Sequence, residues 1–265
     1  MRDILKSSAT VLGFAVLSIS KVFAGGFTSG KGVYDFTAEY MGKYTDESLG
    51  ASKKKYNSGI EINNDFGITE NQTVAFDIFI DRSAGGEQSQ SFQTRHRMNF
   101  KYSDSVNFGL QNSLGFFDNT NGTYSMRWAL RGMVRHDTKS GFYKHSRLEI
   151  EHRRWFNGAL NGVRIDLRTK FRVADGVDFF IRLNTYLALA SKDYFESKDV
   201  DFEGVTQYSL KGLKINNSEI YAGPEFKLKN NDMVYIHAYS QLHSAPKKRS
   251  HGKGFLIGYS KSFNL

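Results

Sequence analysis

The chain has 265 residues, a formal charge of +9, 40% hydrophobic and 14% aromatic residues, 25 glycines, 2 prolines and no cysteine. Without cysteine, disulfides, thiolate metal sites and lipidation through an N-terminal Cys are excluded, and no cofactor is expected. No stretch reaches about 18 uninterrupted apolar residues, which excludes a helical membrane span.

The first 24 residues read as an export leader, leaving 25–265 as the mature domain. Arg2 and Lys6 give a basic start, Ala9–Ile19 is apolar, and Val22-Phe23-Ala24 supplies small residues at a cleavage site. The apolar run is too short to span a bilayer as a helix, which takes roughly 20 residues.

From there one pattern repeats: about ten residues of apolar and polar alternation, then a turn signal. It predicts twelve strands over 33–44, 56–66, 73–82, 92–102, 106–116, 124–135, 142–153, 163–173, 177–189, 218–228, 233–243 and 254–265. The segment 163–173 is the clearest, with Val163, Ile165, Leu167, Thr169, Phe171 and Val173 on one face. Arg164, Asp166, Arg168, Lys170 and Arg172 share the other, a segregation that a 3.6-residue helical period would scatter.

The connections alternate in length. Short turns follow the even strands, and longer stretches follow the odd ones at 45–55, 83–91, 117–123, 154–162, 190–217 and 244–253. An outer-membrane barrel has short periplasmic turns and longer outer loops, so the expected fold is all-β, a transmembrane antiparallel up-and-down barrel. The end, Phe263-Asn264-Leu265, is similar to a closing strand that barrel-assembly machinery recognises. Pro224 falls inside a strand, and a bulge beside Gly223 is expected to accommodate it. Tyr208–Lys214 also alternates, and either extends a hairpin or adds to the strand count. A soluble β-sandwich gives the same alternation, but not the uniform strand length or the loop rule.

The polar faces carry the function. Cations expected inside the barrel are Arg95, Arg97, Lys101, Arg127, Arg131, Arg135, Arg147, Arg153, Arg164, Arg168, Lys170, Arg172 and Arg182. The apolar faces of the same strands hold only His96, Lys144 and His152 as basic residues. A lipid-facing cation costs about 2–4 kcal/mol at the midplane, so the segregation fits a barrel in a membrane. Arg97, Arg127, Arg131, Arg147, Arg168 and Arg182 fall at mid-height and form an expected belt. Opposite them Asp35, Glu39, Glu61, Asp77 and Asp81 point inward, with Glu219 and Glu225 further along the chain. Tyr143, Tyr186, Tyr235 and Tyr239 are expected to offer rings to sugars. Opposite walls of charge predict a passage for small anionic solutes, arginine being suited to two-point contact with carboxylates. The alternative is a plugged scaffold, in which inward acids and bases pair, as at Asp166 between Arg164 and Arg168 and at Glu149 beside Arg147.

Arg95-His96-Arg97, the run Arg127–Arg135, the size and the strand count together resemble the oligogalacturonate-specific porin family (KdgM/NanC-like), which includes the sialic-acid channel. The resemblance is architectural and covers the whole of 25–265. It implies passive uptake of acidic oligosaccharides across the bacterial outer membrane along inward arginines. The acids at 35–81 leave the solute open.

Other classes fare worse. No His-x-Ser occurs, so the histidine and serine of an outer-membrane phospholipase have no counterpart, and Asp46, Glu47 and His251 show no paired spacing for a protease. An enzyme is not expected. Lys53-Lys54-Lys55 and Lys247-Lys248-Arg249 suit lipopolysaccharide contact or, as an alternative, adhesion. Nucleic-acid binding is not expected, since no basic helix is available to enter a groove.

Overall fold

In a computed structural model the residues described are 27–45, 55–82, 88–118, 124–156, 161–189, 209–210, 213–228, 232–244 and 252–264. The leader and most of the six long connections lie outside them, as do Lys53, Lys54, the side chain of Lys55, Lys247-Lys248-Arg249, Asp46, Glu47, His251 and the side chain of Asp81. Alternation becomes strands throughout: β1 (Val33–Thr45), β2 (Lys55–Thr69), β3 (Gln72–Arg82), β4 (Gln88–Lys101), β5 (Val106–Asp118), β6 (Tyr124–Asp137) and β7 (Tyr143–Trp155). The series continues with β8 (Asn161–Ala174), β9 (Val177–Leu189), β10 (Ser209–Leu210), β11 (Leu213–Lys227), β12 (Met233–Ser244) and β13 (Gly252–Asn264).

Neighbours pair antiparallel in chain order, and β13 pairs with β1 from Val33↔Asn264 to Thr45↔Gly252, which closes the sheet. The two-residue β10 pairs only with the start of β11, while β9 pairs directly with β11. The closed barrel therefore has twelve strands, and the alternating piece near 208–214 is a hairpin extension. Closure leaves no free sheet edge, which a strand in hydrocarbon requires.

Burial is inverted relative to a water-soluble protein. The largest fully buried side chains are Gln111, Glu149, Glu151, Asn99, Thr73, Asp77 and Asp166, all polar. The exposed large ones are apolar, among them Ile60, Phe76, Phe92, Phe116, Ile150, Leu167, Ile236 and Phe255. In water that arrangement would cost stability on both faces. With hydrocarbon outside and an aqueous interior it is stabilising on both. Aromatic rings gather toward the strand ends, as in Tyr34 stacked on Phe66 at 4.7 Å and Phe142 on Phe171 at 5.1 Å. Rings of this kind sit well at the membrane–water interface.

Two irregularities depart from strict alternation. Between Tyr143 and His145 the β7–β8 register shifts, so Lys144 is an extra residue and the local faces reverse. Lys144 consequently forms an ion pair with the buried Asp178, and is not the lipid-facing cation that parity predicts. Tyr143 goes the other way: it stacks on His136 at 5.9 Å and meets Phe171 edge-on, so it is not an inward aromatic. Pro224 is accommodated without a bulge. Ala222↔Ala238 and Glu225↔Tyr235 keep the same β11–β12 register across it, with the pairing interrupted between them. Gly223 makes this close approach possible, since a Cβ there would lie 2.0 Å from the Ile236 carbonyl oxygen. The register shifts of β11 lie elsewhere: Asn216 is the extra residue against β9, and opposite Ser218/Glu219 the extra residue is Leu242 of β12.

Candidate functional site

Inward positions converge on a cavity of about 910 Å³. Arg95, Arg97, Arg127, Arg131, Arg135, Arg147, Arg153, Arg164, Arg168, Lys170 and Arg182 all line it, with Glu39, Glu61, Asp77 and Glu225. Two of the cations singled out from sequence are elsewhere. Lys101 pairs with Asp104 of the β4–β5 turn at 2.7 Å, a hydrogen bond that holds the Asp104 carboxyl below its ordinary range. Arg172 donates from Nη1 to the carbonyl of Gly141 in the β6–β7 turn at 3.1 Å. Both occupy the correct parity but the wrong height, at the turn end of the barrel. Asp35 likewise accepts from the Ser262 hydroxyl and does not line the cavity.

The cationic wall has two layers. Strand pairing sets Glu149 opposite Asp166, with Arg147 opposite Arg168 on one side and Glu151 opposite Arg164 on the other. Two like charges side by side would repel, and the surrounding guanidinium groups remove that penalty. Asp166 accepts from Arg164 Nη2 at 3.0 Å, from Arg168 Nη2 at 2.9 Å and from Arg182 Nη2 at 2.6 Å. Glu149 is in ion-pair contact with Arg131 at 2.9 Å, with Arg164 and Arg168 at 3.5 Å each, and with Arg147. Glu151 takes Arg131 Nε at 2.6 Å and Arg153. Six arginines therefore share three carboxylates, a surplus of three positive charges. The Glu149 and Asp166 side chains are 0% exposed and that of Glu151 2%, against 24% for Arg168 and 22% for Arg182. The acids form a buried base, and the guanidinium groups line the cavity above it.

Arg127 stands apart. No carboxylate pairs with it among the described residues; it donates to Gln93 and lies over the Phe117 ring at 4.7 Å and the Trp155 ring at 5.4 Å. These contacts hold a full charge on an apolar surface.

The opposite wall is mixed. Arg95 pairs with Asp77 and with Asp65 at 3.2 Å, and Arg97 with Asp65 at 3.0 Å. Lys170 crosses to Glu225, which also faces His237 Nε2 at 3.5 Å. Glu39 accepts from the Tyr235 hydroxyl and lies opposite Glu61 in the β1–β2 register. Tyr239 and Tyr221 donate to Glu219 at 3.1 and 3.0 Å, and Tyr186 lies under the Arg153 guanidinium at 5.1 Å. The inward tyrosines thus hold protein charges in place. Among the described residues no group of three or more His, Asp or Glu side chains is placed to hold a metal ion.

Asp65, Gln93, His145 and His237 line the cavity or pair within it, yet they were not among the residues the sequence singled out. Asp65 had a usable signal, since it shares the parity of Glu61 and Asn63. His145 had the same kind of signal, since it shares the parity of Arg147 and Glu149 and its register with β8 is continuous with theirs.

No protein-family profile matches the chain, and no curated protein matches it. Solved structures do. The KdgM porin in complex with disordered oligogalacturonate is 8% identical, covers 86% of this chain and 99% of its own, and superposes with a TM-score of 0.55. A COG4313 outer membrane channel from Pseudomonas putida F1 is 11% identical over 92% of this chain and 100% of its own, with a TM-score of 0.63. The NanC porin is 13% identical over 86% and 100%, with a TM-score of 0.54. At such identities the likeness is one of fold: a twelve-stranded barrel of the kind found in outer-membrane channels.

Proposed function

We propose that this chain is an outer-membrane channel through which small anionic solutes, acidic oligosaccharides among them, diffuse along the arginine wall. One observation carries the reading: six guanidinium groups face a cavity of about 910 Å³ over three buried carboxylates that cannot neutralise them. A solute carboxylate entering that field is attracted without displacing the acids beneath. The likeness to a porin whose structure was determined with oligogalacturonate is consistent with acidic sugars as cargo. Export by a leader ending at Ala24, insertion by barrel-assembly machinery, outer-loop lysines against lipopolysaccharide and the absence of an enzymatic role belong to the same reading.

Planar-bilayer recordings under a KCl gradient test it. A reversal potential on the anion side, with block by oligogalacturonate, is expected, and cation preference would refute the assignment. The second reading, a closed scaffold, is favoured by the density of ion pairs and by Arg95 and Arg97 being bound to Asp65 and Asp77. Absence of any conductance from folded barrels would select it.

A further inference from the structure

Residues 27–32, just before β1, lie inside the barrel. Gly30 and Gly32 adopt φ of +83° and +72°, a left-handed geometry open to glycine, and Val33 N–H closes the turn on the Gly30 carbonyl at 3.2 Å. The chain then runs back inside. Gly32 N–H donates to the Gly67 carbonyl at 3.0 Å, and Ser29 N–H to the hydroxyl of the buried Thr73 at 2.9 Å. From this anchorage on β2 and β3 the segment reaches across the interior to β4 through β7. The Phe27 carbonyl accepts from Arg97 Nη1 at 3.3 Å, and the Arg147 guanidinium lies 5.0 Å from the centre of its ring. The ring fills the space that Gly109 leaves bare: a Cβ at Gly109 would lie 2.7 Å from it. Phe27 is 4% exposed, shares the space over Gly109 with the buried Met133, and is absent from the lining of the cavity whose wall includes Arg97 and Arg147.

We infer that Phe27 is a constriction residue, an inward-folded apolar stop that narrows the turn-side half of the lumen and sets the size of solute that passes. The proposal rests on the channel reading and deepens it, adding a size filter to the charge filter. Phe27 belongs to no ladder of the barrel, so the stop is separable from the wall that carries it. With the leader removed after Ala24, it is the third residue of the mature chain.

The test uses the processed full-length barrel from outer membranes, with Phe27→Ala, and with Phe27→Ala combined with Gly109→Leu to refill the space. Single-channel conductance and the swelling of liposomes in neutral sugars of increasing size are measured. A narrow pore conducts according to its open cross-section, so Phe27→Ala is expected to raise conductance about twofold and admit larger sugars. The double variant should return both toward the parent. An unchanged conductance and size limit in a folded Phe27→Ala barrel overturns the constriction while leaving the channel intact. Silence of parent and variants alike overturns the channel reading and the constriction with it. If the alanine variant does not fold, Phe27→Leu decides: higher conductance supports the stop, and the parental value refutes it.

Discussion

Replacing Arg168 with glutamine tests the two-layered wall most directly. The variant removes one unit of charge, yet Asp166 keeps Arg164 and Arg182, and Glu149 keeps Arg131 and Arg147. The barrel should therefore still close. A solute carboxylate about 6 Å from a guanidinium gains about 3 kcal/mol at an effective dielectric constant of about 20. Screening with a Debye length of about 8 Å at physiological salt roughly halves that gain. The remaining 1.4 kcal/mol or so corresponds to about a tenfold drop in anion occupancy. Reversal potentials under a salt gradient should move toward zero, and the difference from the parent should shrink at about 1 M salt, where the Debye length is near 3 Å. A folded variant, recognised by its heat-modifiable gel mobility, with the parental reversal potential would refute the wall as the source of selectivity.

Lys101→Gln and Arg172→Gln serve as matched controls: both remove an inward-parity cation that does not line the cavity, and neither should shift the reversal potential by a measurable amount. Glu149→Gln leaves Arg147 without a paired carboxylate and takes one of two acids from Arg131, Arg164 and Arg168, so a loss of about 3–5 kcal/mol in urea unfolding is expected, together with stronger anion preference in whatever fraction folds. Gly258→Ala puts a Cβ 2.0 Å from the Tyr235 ring, which Glu39 and a stack on His237 hold in place, and overpacking of this kind should lower the unfolding free energy by about 1–3 kcal/mol. Asp178→Asn strands the Lys144 ammonium inside the wall; a lower unfolding midpoint is expected, and an unchanged one would place that lysine in lipid or water.

Parity made most of the barrel readable. Each of the twelve expected segments lies largely within one observed strand, and the face assigned to Arg131, Arg168 or Phe76 follows from odd and even numbering alone. Height is another matter. Arg172 and Arg168 alternate identically, but tilt and stagger decide that one meets the Gly141 carbonyl and the other Asp166. The Lys144 bulge carries no glycine or proline to announce it, so Tyr143 and Lys144 were unreadable. Neighbours across strands were equally hidden: nothing in the segments around 149 and 166 says that their acids stand side by side. Phe27 precedes the first alternating segment, where periodicity has no purchase.

Sinking the acids behind the arginines fixes where each guanidinium points before any solute arrives. Such a surface gives up little freedom on contact, so attraction is immediate, but each fork is already partly engaged by Glu149, Glu151 or Asp166 and cannot fold around a guest. Grip stays shallow. In the proposed channel, a wall made this way would favour throughput over retention, cargo passing from one shallow well to the next.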